Sequence, residues 1–277
     1  MITETDIGLA DGRALHVYDS GPADADLTVY WHAGTPQIGL PPTCAVDRPG
    51  VRWIAHDRPG YGGSTACPGR DVASVAADVA LVADVLGVAR FAVLGSSGGG
   101  PHALACAALL PYRVLGVACL ASLAPYDAHG LDWFAGMAPS GAAELRASVD
   151  GPDALREFLT ASGDQPPDWF TSNDIALFSG PFGPWLNTTG GQGTAKGLDG
   201  FVDDDVAYVS PWGFDPARID APVLLLHGDK DRCVPHSHSG WLARRCPTSE
   251  LRLCPDDSHI SVLRHMDIAL DWLGKLG

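Results

Sequence analysis

The feature that most constrains the fold is a repeated alternation of short apolar runs with stretches of helical periodicity. The apolar runs end near glycine or proline and lie at 27–34, 51–60, 90–95, 114–122 and 221–228. Between the second and third runs, residues 71–88 repeat valine and alanine at helical spacing, which predicts an amphipathic helix. Runs that are apolar at consecutive positions are typical of strands buried on both faces, so we expect a mostly parallel sheet.

The remaining segments complete an α/β pattern. Apolar stretches within 6–18, separated by a turn at "ADGR", predict an antiparallel hairpin at the N-terminal edge of the sheet. We further expect helices over 101–110, 239–246 and 260–276 and a strand over 250–254. The predicted fold is a doubly covered α/β sheet with helices on both faces, and its functional loops should follow the carboxyl ends of the strands.

Residues 127–215 interrupt this alternation. The interruption predicts a core formed by 1–126 and 216–277, with 127–215 inserted as a helical cap, or lid. This segment carries 14 acidic and 3 basic residues, which would suit a cationic substrate group or simply form a solvated surface. Its aromatic residues either line an apolar pocket or form the cap's own core; they are Trp133, Phe134, Trp169, Phe170, Trp185, Trp212 and Phe214.

Composition narrows the class of partner. The net charge of −15 argues against a nucleic acid or an anionic membrane surface as a partner. No apolar run has the length that a membrane-spanning helix needs, and the N-terminus lacks the basic start and apolar core of a signal peptide. The seven cysteines are scattered, which favours reduced thiols. We therefore expect a cytoplasmic protein acting on a small molecule; the sequence carries no signal for an oligomeric state.

The stretch "RFAVLGSSGGGPHALA" predicts a reactive serine on a tight turn between a strand and a helix. Such a turn requires tiny side chains two residues before and two residues after the nucleophile. Ser97 has Gly95 and Gly99 at these positions, whereas Ser96 would have Leu94 at the first of them. The stretch also lacks the lysine of a phosphate-binding loop. Ser97 is therefore the predicted nucleophile, and Ser96 is a candidate pocket residue.

A serine nucleophile needs a histidine base and an acid that orients it. Asp229 and Asp231 follow the apolar run 221–228, and Asp127 follows the run 114–122, so all three are candidate acids. Among ten histidines, His259 alone lies between the last predicted strand and the final predicted helix. This position makes His259 the predicted base.

The motifs "HAGTP", "DRPGYGGS", "GSSGGG", "HGDKDRCVP" and "DDSHIS" occur in this order, and together they resemble the α/β-hydrolase superfamily. The similarity is to its cap-bearing branch with a serine nucleophile, which includes esterases, haloperoxidases and iminopeptidases. It implies Asp231 as the acid and His259 as the base, and it extends over the chain outside 127–215. The family often has glycine before the histidine, where this chain has Ser258.

The resemblance also implies an oxyanion hole formed by the backbone N–H groups of Gly98 and Thr35. The motif "HAGTP" departs from the family's usual pattern, so Ala33 or Gly34 could take the place of Thr35. Gly34, Trp133, Trp185 and Trp212 join Ser96 as candidate pocket residues. Arg58 is expected to pair with backbone or a carboxylate near this loop rather than to react.

These residues predict a serine hydrolase that cleaves an ester through an acyl-enzyme, with a small and largely apolar substrate and without a metal or organic cofactor. The alternatives are an iminopeptidase-like aminopeptidase, a cofactor-free perhydrolase and a C–C hydrolase. A ligand receptor built on the same fold belongs to a different functional class, and it would bind tightly with negligible turnover.

Overall fold

The computed structural model describes residues 1–163 and 167–277, and its central element is one sheet. The strands are β1 (Thr3–Gly8), β2 (Ala14–Asp19), β3 (Leu27–His32), β4 (Val51–His56), β5 (Phe91–Ser96), β6 (Val114–Leu120), β7 (Val223–Gly228) and β8 (Ser249–Cys254). Their order in the sheet is β1-β2-β4-β3-β5-β6-β7-β8. β2 pairs antiparallel with both β1 and β4, and every other pair of neighbouring strands is parallel. This arrangement confirms the predicted fold class.

Helices cover the sheet on both faces because its strands are apolar on both. The helices are α1 (Val75–Val85), α2 (Gly99–Leu109), α3 (Pro139–Asp150), α4 (Pro152–Ser162), α5 (Ser172–Phe178), α6 (Gly183–Thr194), α7 (Asp199–Val209), α8 (Ser237–Arg245) and α9 (Met266–Leu273). One apolar layer joins α1, α2 and α8 to the sheet, and a second layer joins α9 to the opposite face. Successive strand residues face opposite sides of the sheet. The side chain of Leu94 packs in the layer of α9, and Gly95 lies against α2 on the other face.

The predicted closing helix over 260–276 is shorter than its periodicity suggested. Ser261–His265 form a 3-10 turn, and α9 begins only at Met266. The reason is a contact distant in sequence: the buried carboxylate of Asp174 accepts hydrogen bonds from the N–H groups of Ile260 and Ser261, at 3.0 and 2.8 Å. These two hydrogen bonds fix the backbone directly after His259, on the N-terminal side of α9.

Helices α3 to α7 lie in the chain between β6 and β7, within the range predicted as a cap. α3 packs against α4 and α7, while α5 packs against α6 and the turn after His259. The division of the chain into a core and a cap stays a prediction. In the part of the chain that the structure describes, no helix combines the length and the apolar character needed to cross a membrane.

Candidate active site

Ser97 lies immediately after β5, on the turn that leads into α2. Its φ of 53° is in the left-handed region, which a residue with a Cβ adopts only where the surrounding structure requires it. The Ser97 N–H donates to the carbonyl of Leu120 on β6 at 2.8 Å, which holds the turn against the sheet. The serine is thus held in a strained and defined position, and its side chain is partly exposed.

Gly95 and Gly99, the two glycines that distinguish Ser97 from Ser96, lie where β5 and β3 closely approach the start of α2. A Cβ at Gly95 would come within 2.4 Å of the carbonyl oxygen of Gly99. A Cβ at Gly99 would come within 2.1 Å of the carbonyl oxygen of His32 on β3. Both obstacles are backbone atoms, so any larger side chain would force α2 away from the sheet. The spacing argument that excluded Ser96 therefore agrees with the observed packing.

The structure brings Ser97, His259 and Asp231 together from the ends of three strands. Ser97 Oγ lies 2.8 Å from His259 Nε2, and His259 Nδ1 lies 2.8 Å from Asp231 Oδ2. An ionised carboxylate only accepts hydrogen bonds, so Nδ1 carries the proton and Nε2 is free to accept one from the serine. Asp231 Oδ1 accepts from the N–H groups of Cys233 and Val234, both at 2.9 Å, which fixes the carboxylate plane.

The electrostatics of this chain favour an ionised acid and a basic histidine. Burial alone would raise the pKa of Asp231, but His259 and His227 hold it well below its ordinary value. Burial alone would lower the pKa of His259, but the Asp231 carboxylate and the Cys233 side chain raise it well above its ordinary value. His227 Nε2 lies 3.2 Å from Asp231 Oδ2, so this histidine is a second contact of the acid.

The other two candidate acids lie elsewhere. Asp229 Oδ1 accepts a hydrogen bond from the N–H of Asp256 at 2.9 Å, and its other oxygen lies 3.2 Å from Lys230 Nζ. Asp127 lines a separate surface groove together with Trp212. Of the three candidates, Asp231 is the one that contacts His259.

The loop after β3 lies against the turn of Ser97. A Cβ built on Gly34 would lie 3.3 Å from Ser97 Cβ, and one built on Gly98 would lie 2.6 Å from Thr35 Oγ1. The Gly34 N–H donates to Gln37 Oε1 at 3.2 Å. Within residues 1–163 and 167–277, the N–H groups of Thr35 and Gly98 have no backbone acceptor. The arrangement leaves these two N–H groups available beside Ser97.

A buried ion-pair network, which we call the Asp204 network, holds this loop. Arg58 donates to the carbonyls of Ala33 and Gly34 at 2.6 and 3.2 Å, so it pairs with the backbone as expected. The same guanidinium and that of Arg70 bind the Asp204 carboxylate on α7. Thr35 Oγ1 donates to Asp204 Oδ2 at 2.8 Å. Because Asp204 belongs to the segment between β6 and β7, the network ties that segment to the loop after β3.

A cavity of about 490 Å³ opens beside Ser97. Its walls include Gly34, Thr35, Ser96, Gly98 and His259, as well as the aromatic side chains of Trp169, Phe170, Phe178, Phe201 and Tyr208. The ring of Trp169 packs edge-on against His259, with 5.4 Å between the ring centroids. The predicted pocket positions Gly34 and Ser96 thus do line the cavity.

The prediction of Trp133, Trp185 and Trp212 as pocket residues is wrong. Each is buried, and its indole N–H donates to a backbone carbonyl, of Ala124, Leu40 and Tyr208 respectively. The three rings fill the packing between elements and do not line the cavity of Ser97. An indole ring with a partner for its N–H is stable inside a core, and sequence alone does not reveal that partner.

Sequence reasoning missed several residues that the fold brings to the cavity. Asp205 and Tyr208 line it from α7, and Glu144 lines it from α3. Asp204, the neighbour of Asp205 on α7, binds Arg58 and Arg70 instead. The signal was present as an acidic run followed by tyrosine at helical spacing, "DDDVAY". That pattern is also typical of a solvated helix face, so only the packing of α7 distinguishes the two.

The sequence profile of the α/β-hydrolase fold matches residues 28–265, and the chain therefore belongs to the α/β-hydrolase family. Two curated relatives carry catalytic names. The bifunctional esterase/perhydrolase of Acinetobacter calcoaceticus is 28% identical over 250 residues, covering 83% of each chain. The non-heme chloroperoxidase of Streptomyces lividans is 29% identical over 244 residues, covering 82% of each.

Solved structures agree with the fold over the whole length. A thermophilic esterase from Thermogutta terrifontis superimposes with a TM-score of 0.71 at 20% identity, covering 100% of this chain and 99% of the other. The enol-lactonase from Burkholderia xenovorans superimposes with a TM-score of 0.70 at 20% identity, covering 98% and 99%. At 20% identity this likeness shows the fold alone.

Proposed function

We propose that this protein is a serine hydrolase that cleaves a carboxylic ester through an acyl-enzyme. The observation that carries the proposal is the hydrogen-bonded chain from Ser97 Oγ through His259 to Asp231 Oδ2, with 2.8 Å at both links. These three side chains come from loops after β5, β8 and β7, at the edge of the sheet where α/β proteins usually bind ligands.

In the proposed reaction, His259 Nε2 accepts the Ser97 proton while Ser97 Oγ attacks the ester carbonyl carbon. The N–H groups of Thr35 and Gly98 stabilise the negative oxygen of the tetrahedral intermediate, and Gly98 lies at the start of α2, where the helix dipole adds to this effect. Collapse of the intermediate expels the alcohol, which takes the proton from His259. Water, deprotonated by His259, then attacks the acyl-enzyme and releases the acid.

Asp231 contributes to this cycle by orienting His259 and by its negative charge. It holds His259 in the tautomer that leaves Nε2 unprotonated, and it stabilises the imidazolium that forms in each half of the reaction. Arg58 acts as a positioning residue, because it binds the carbonyl of Ala33 and that of Gly34, and the Gly34 carbonyl belongs to the same peptide group as the Thr35 N–H. The cavity of mainly apolar lining favours a small substrate with an apolar body.

Labelling with a fluorophosphonate probe, followed by peptide mapping, tests the proposal. We expect covalent modification at Ser97, loss of labelling and of p-nitrophenyl butanoate hydrolysis in Ser97→Ala, and retention of both in the control Ser162→Ala, whose side chain is exposed at the end of α4. A native protein that is not labelled, or hydrolysis that survives Ser97→Ala, would refute a serine mechanism. Tight ligand binding without turnover would favour the receptor alternative.

A second candidate activity, perhydrolysis, is favoured by the name of the Acinetobacter calcoaceticus relative, an esterase/perhydrolase. The same acyl-enzyme would be attacked by hydrogen peroxide in place of water, giving a peracid and free Ser97. No redox change at the protein is required for this step. Peracid formation from an ester and hydrogen peroxide, compared between the native protein and Ser97→Ala, tests it.

A further inference from the structure

The loop that carries His259 is held by helix α5 and by the residues directly before that helix. The ring of Trp169 packs edge-on against the imidazole of His259. Asn173 Nδ2 donates to the carbonyl of Asp256 at 2.8 Å, on the N-terminal side of His259. Asp174 Oδ1 accepts from the next two N–H groups after His259, at 3.0 and 2.8 Å. We call Trp169, Asn173 and Asp174 the α5 clasp, because they contact the loop before, at and after the proposed base.

The Asp174 carboxylate makes more contacts than the cap of its own helix requires. The N–H and the hydroxyl of Thr171 donate to Asp174 Oδ2 at 2.8 and 2.9 Å, and the Asp174 N–H donates back to Thr171 Oγ1 at 3.3 Å. This capping box uses only one carboxylate oxygen, and such a box can also form at an exposed helix end. Asp174 is nevertheless fully buried, and its second oxygen is bound by Ile260 and Ser261. The second oxygen therefore has a role outside α5.

The place of these two hydrogen bonds connects them to the catalytic geometry. The Ile260 N–H belongs to the same peptide group as the His259 carbonyl, so a hydrogen bond to it restricts the backbone rotation ψ of His259. Hydrogen bonds from an N–H group to a carboxylate are about twice as strong as those between neutral groups. The imidazole must meet Ser97 and Asp231 at once, and a misplacement of about 1 Å can cost about 100-fold in rate.

We propose that Asp174 is a positioning residue for His259: its Oδ1 atom holds the loop so that the imidazole reaches Ser97 and Asp231 together. This inference rests on the proposed function, because it assigns a residue that supports the same base. Asp174 lies between β6 and β7, whereas His259 follows β8. The segment that forms a wall of the cavity, through Phe178 of α5, therefore also completes the geometry of the base.

Three substitutions separate the contact with the loop from the stability of α5. Asp174→Ala removes both the capping box and the acceptor for Ile260 and Ser261. Thr171→Val removes only the hydroxyl of the capping box. Asp174→Asn keeps one oxygen for the loop, but its NH2 group then faces the N–H of Thr171. The last two variants thus weaken the cap and preserve the contact with the loop.

Steady-state hydrolysis of p-nitrophenyl butanoate compares these variants. Asp174→Ala should lower kcat and kcat/KM equally, by about tenfold to a hundredfold, because a displaced base weakens the transition state and leaves substrate binding unchanged. Thr171→Val and Asp174→Asn should keep kcat within about threefold of the wild type, although urea unfolding should show both to be less stable. A kcat that falls with stability in all three variants, or a wild-type kcat in Asp174→Ala, would overturn the inference.

Asn173→Ala covers the case in which Asp174→Ala does not fold. It removes the hydrogen bond to the Asp256 carbonyl from a side chain that is only partly buried. We expect kcat to fall by about threefold to tenfold at nearly unchanged stability. Ser172→Ala is the matched control, because Ser172 is the exposed neighbour of Asn173 on the same turn, and it should keep kcat. If Asp174→Ala does not fold, an unchanged kcat in Asn173→Ala refutes the clasp.

Proton NMR provides a readout that does not need ester cleavage. The His259 Nδ1 proton, held by Asp231, should give a downfield resonance that is absent from His259→Gln. This resonance should persist in Thr171→Val and Asp174→Asn and be lost in Asp174→Ala. If this pattern appears but no ester is cleaved, the proposed hydrolase fails and the role of Asp174 stands. Ser97-dependent hydrolysis with the same resonance and kcat in all three variants would instead keep the hydrolase and exclude the positioning role.

Discussion

Arg58 Nε lies 3.0 Å from Asp204 Oδ2, and this buried contact joins the loop after β4 to helix α7. The residues are far apart in the chain, and each is at most 3% exposed in its side chain. Through Arg58, the same contact reaches the carbonyls of Ala33 and Gly34. The position of the candidate oxyanion loop therefore depends on a carboxylate in the segment between β6 and β7.

Replacing Asp204 by asparagine should destabilise the protein by about 3–5 kcal/mol, because Arg58 and Arg70 would be left buried without their anion. Although burial alone would raise the pKa of Asp204, the two arginines hold it well below its ordinary value. Its contribution is thus present above the ordinary carboxyl pKa and is lost only as the pH falls through the lowered one. Urea unfolding near neutral pH measures the effect.

Asp199→Asn is the matched control for Asp204→Asn. Asp199 lies on the same helix and pairs with Arg156 on the surface, so its loss should cost about 0–1 kcal/mol. Equal destabilisation by the two substitutions would contradict a special role for the buried network.

Asp231→Asn should lower kcat by about 10⁴-fold, because an amide does not enforce the tautomer of His259 that accepts the Ser97 proton. Asp229→Asn should change kcat by less than about threefold, since Asp229 binds Lys230 and the N–H of Asp256 and does not contact His259. Steady-state hydrolysis of p-nitrophenyl butanoate compares the two. The reverse ranking would show that the acid was wrongly assigned.

The value of kcat/KM should rise with pH as His259, whose pKa is raised, loses its proton. Only neutral His259 accepts the serine proton, and Asp231 together with Cys233 favours the charged form of the ring. The half-maximal kcat/KM is therefore expected above the ordinary histidine pKa of about 6.5. In Asp231→Asn the residual activity should have its midpoint at lower pH. A wild-type midpoint below the ordinary value would contradict this reading.

Glu144→Gln provides the control for the pH profile, because burial raises the pKa of Glu144 to about 7 and the group faces the same cavity. With a neutral ester, the substitution should leave a rising profile that still belongs to His259. Disappearance of the rise in Glu144→Gln would reassign the titration to Glu144.

Gly99→Ala should destabilise the protein by about 3 kcal/mol, since its Cβ would lie 2.1 Å from the carbonyl oxygen of His32 and backbone must move to admit it. Gly240→Ala in α8 is the control. Outside the helix backbone, the nearest atom to that Cβ would be Arg244 Nη1 at 3.6 Å, so the helix should gain about 0.5–1 kcal/mol. Thermal unfolding distinguishes the two, and a neutral Gly99→Ala would disprove the close-approach argument.

The candidate catalytic residues were predictable because their signals are local. Gly95 and Gly99 mark the turn of Ser97 by their spacing, and His259 follows a strand in a loop before the last helix. The choice of Asp231 over Asp229 needed the family resemblance, since both follow β7 within three residues. The end of the chain was predicted less well, because Asp174 fixes the backbone after His259 from another helix.

Apolar periodicity and glycine spacing act over a few residues, so the parallel sheet, the turn of Ser97 and the set of candidate partners follow from the sequence alone. Which carboxylates meet cations and which face the cavity depends on how distant elements pack. Asp204 and Asp205 are neighbours in the chain, yet one binds two arginines and the other faces Glu144. The physical reason is that a carboxylate's energy depends on burial and on nearby charges, and both arise only when α3 and α7 pack over the sheet.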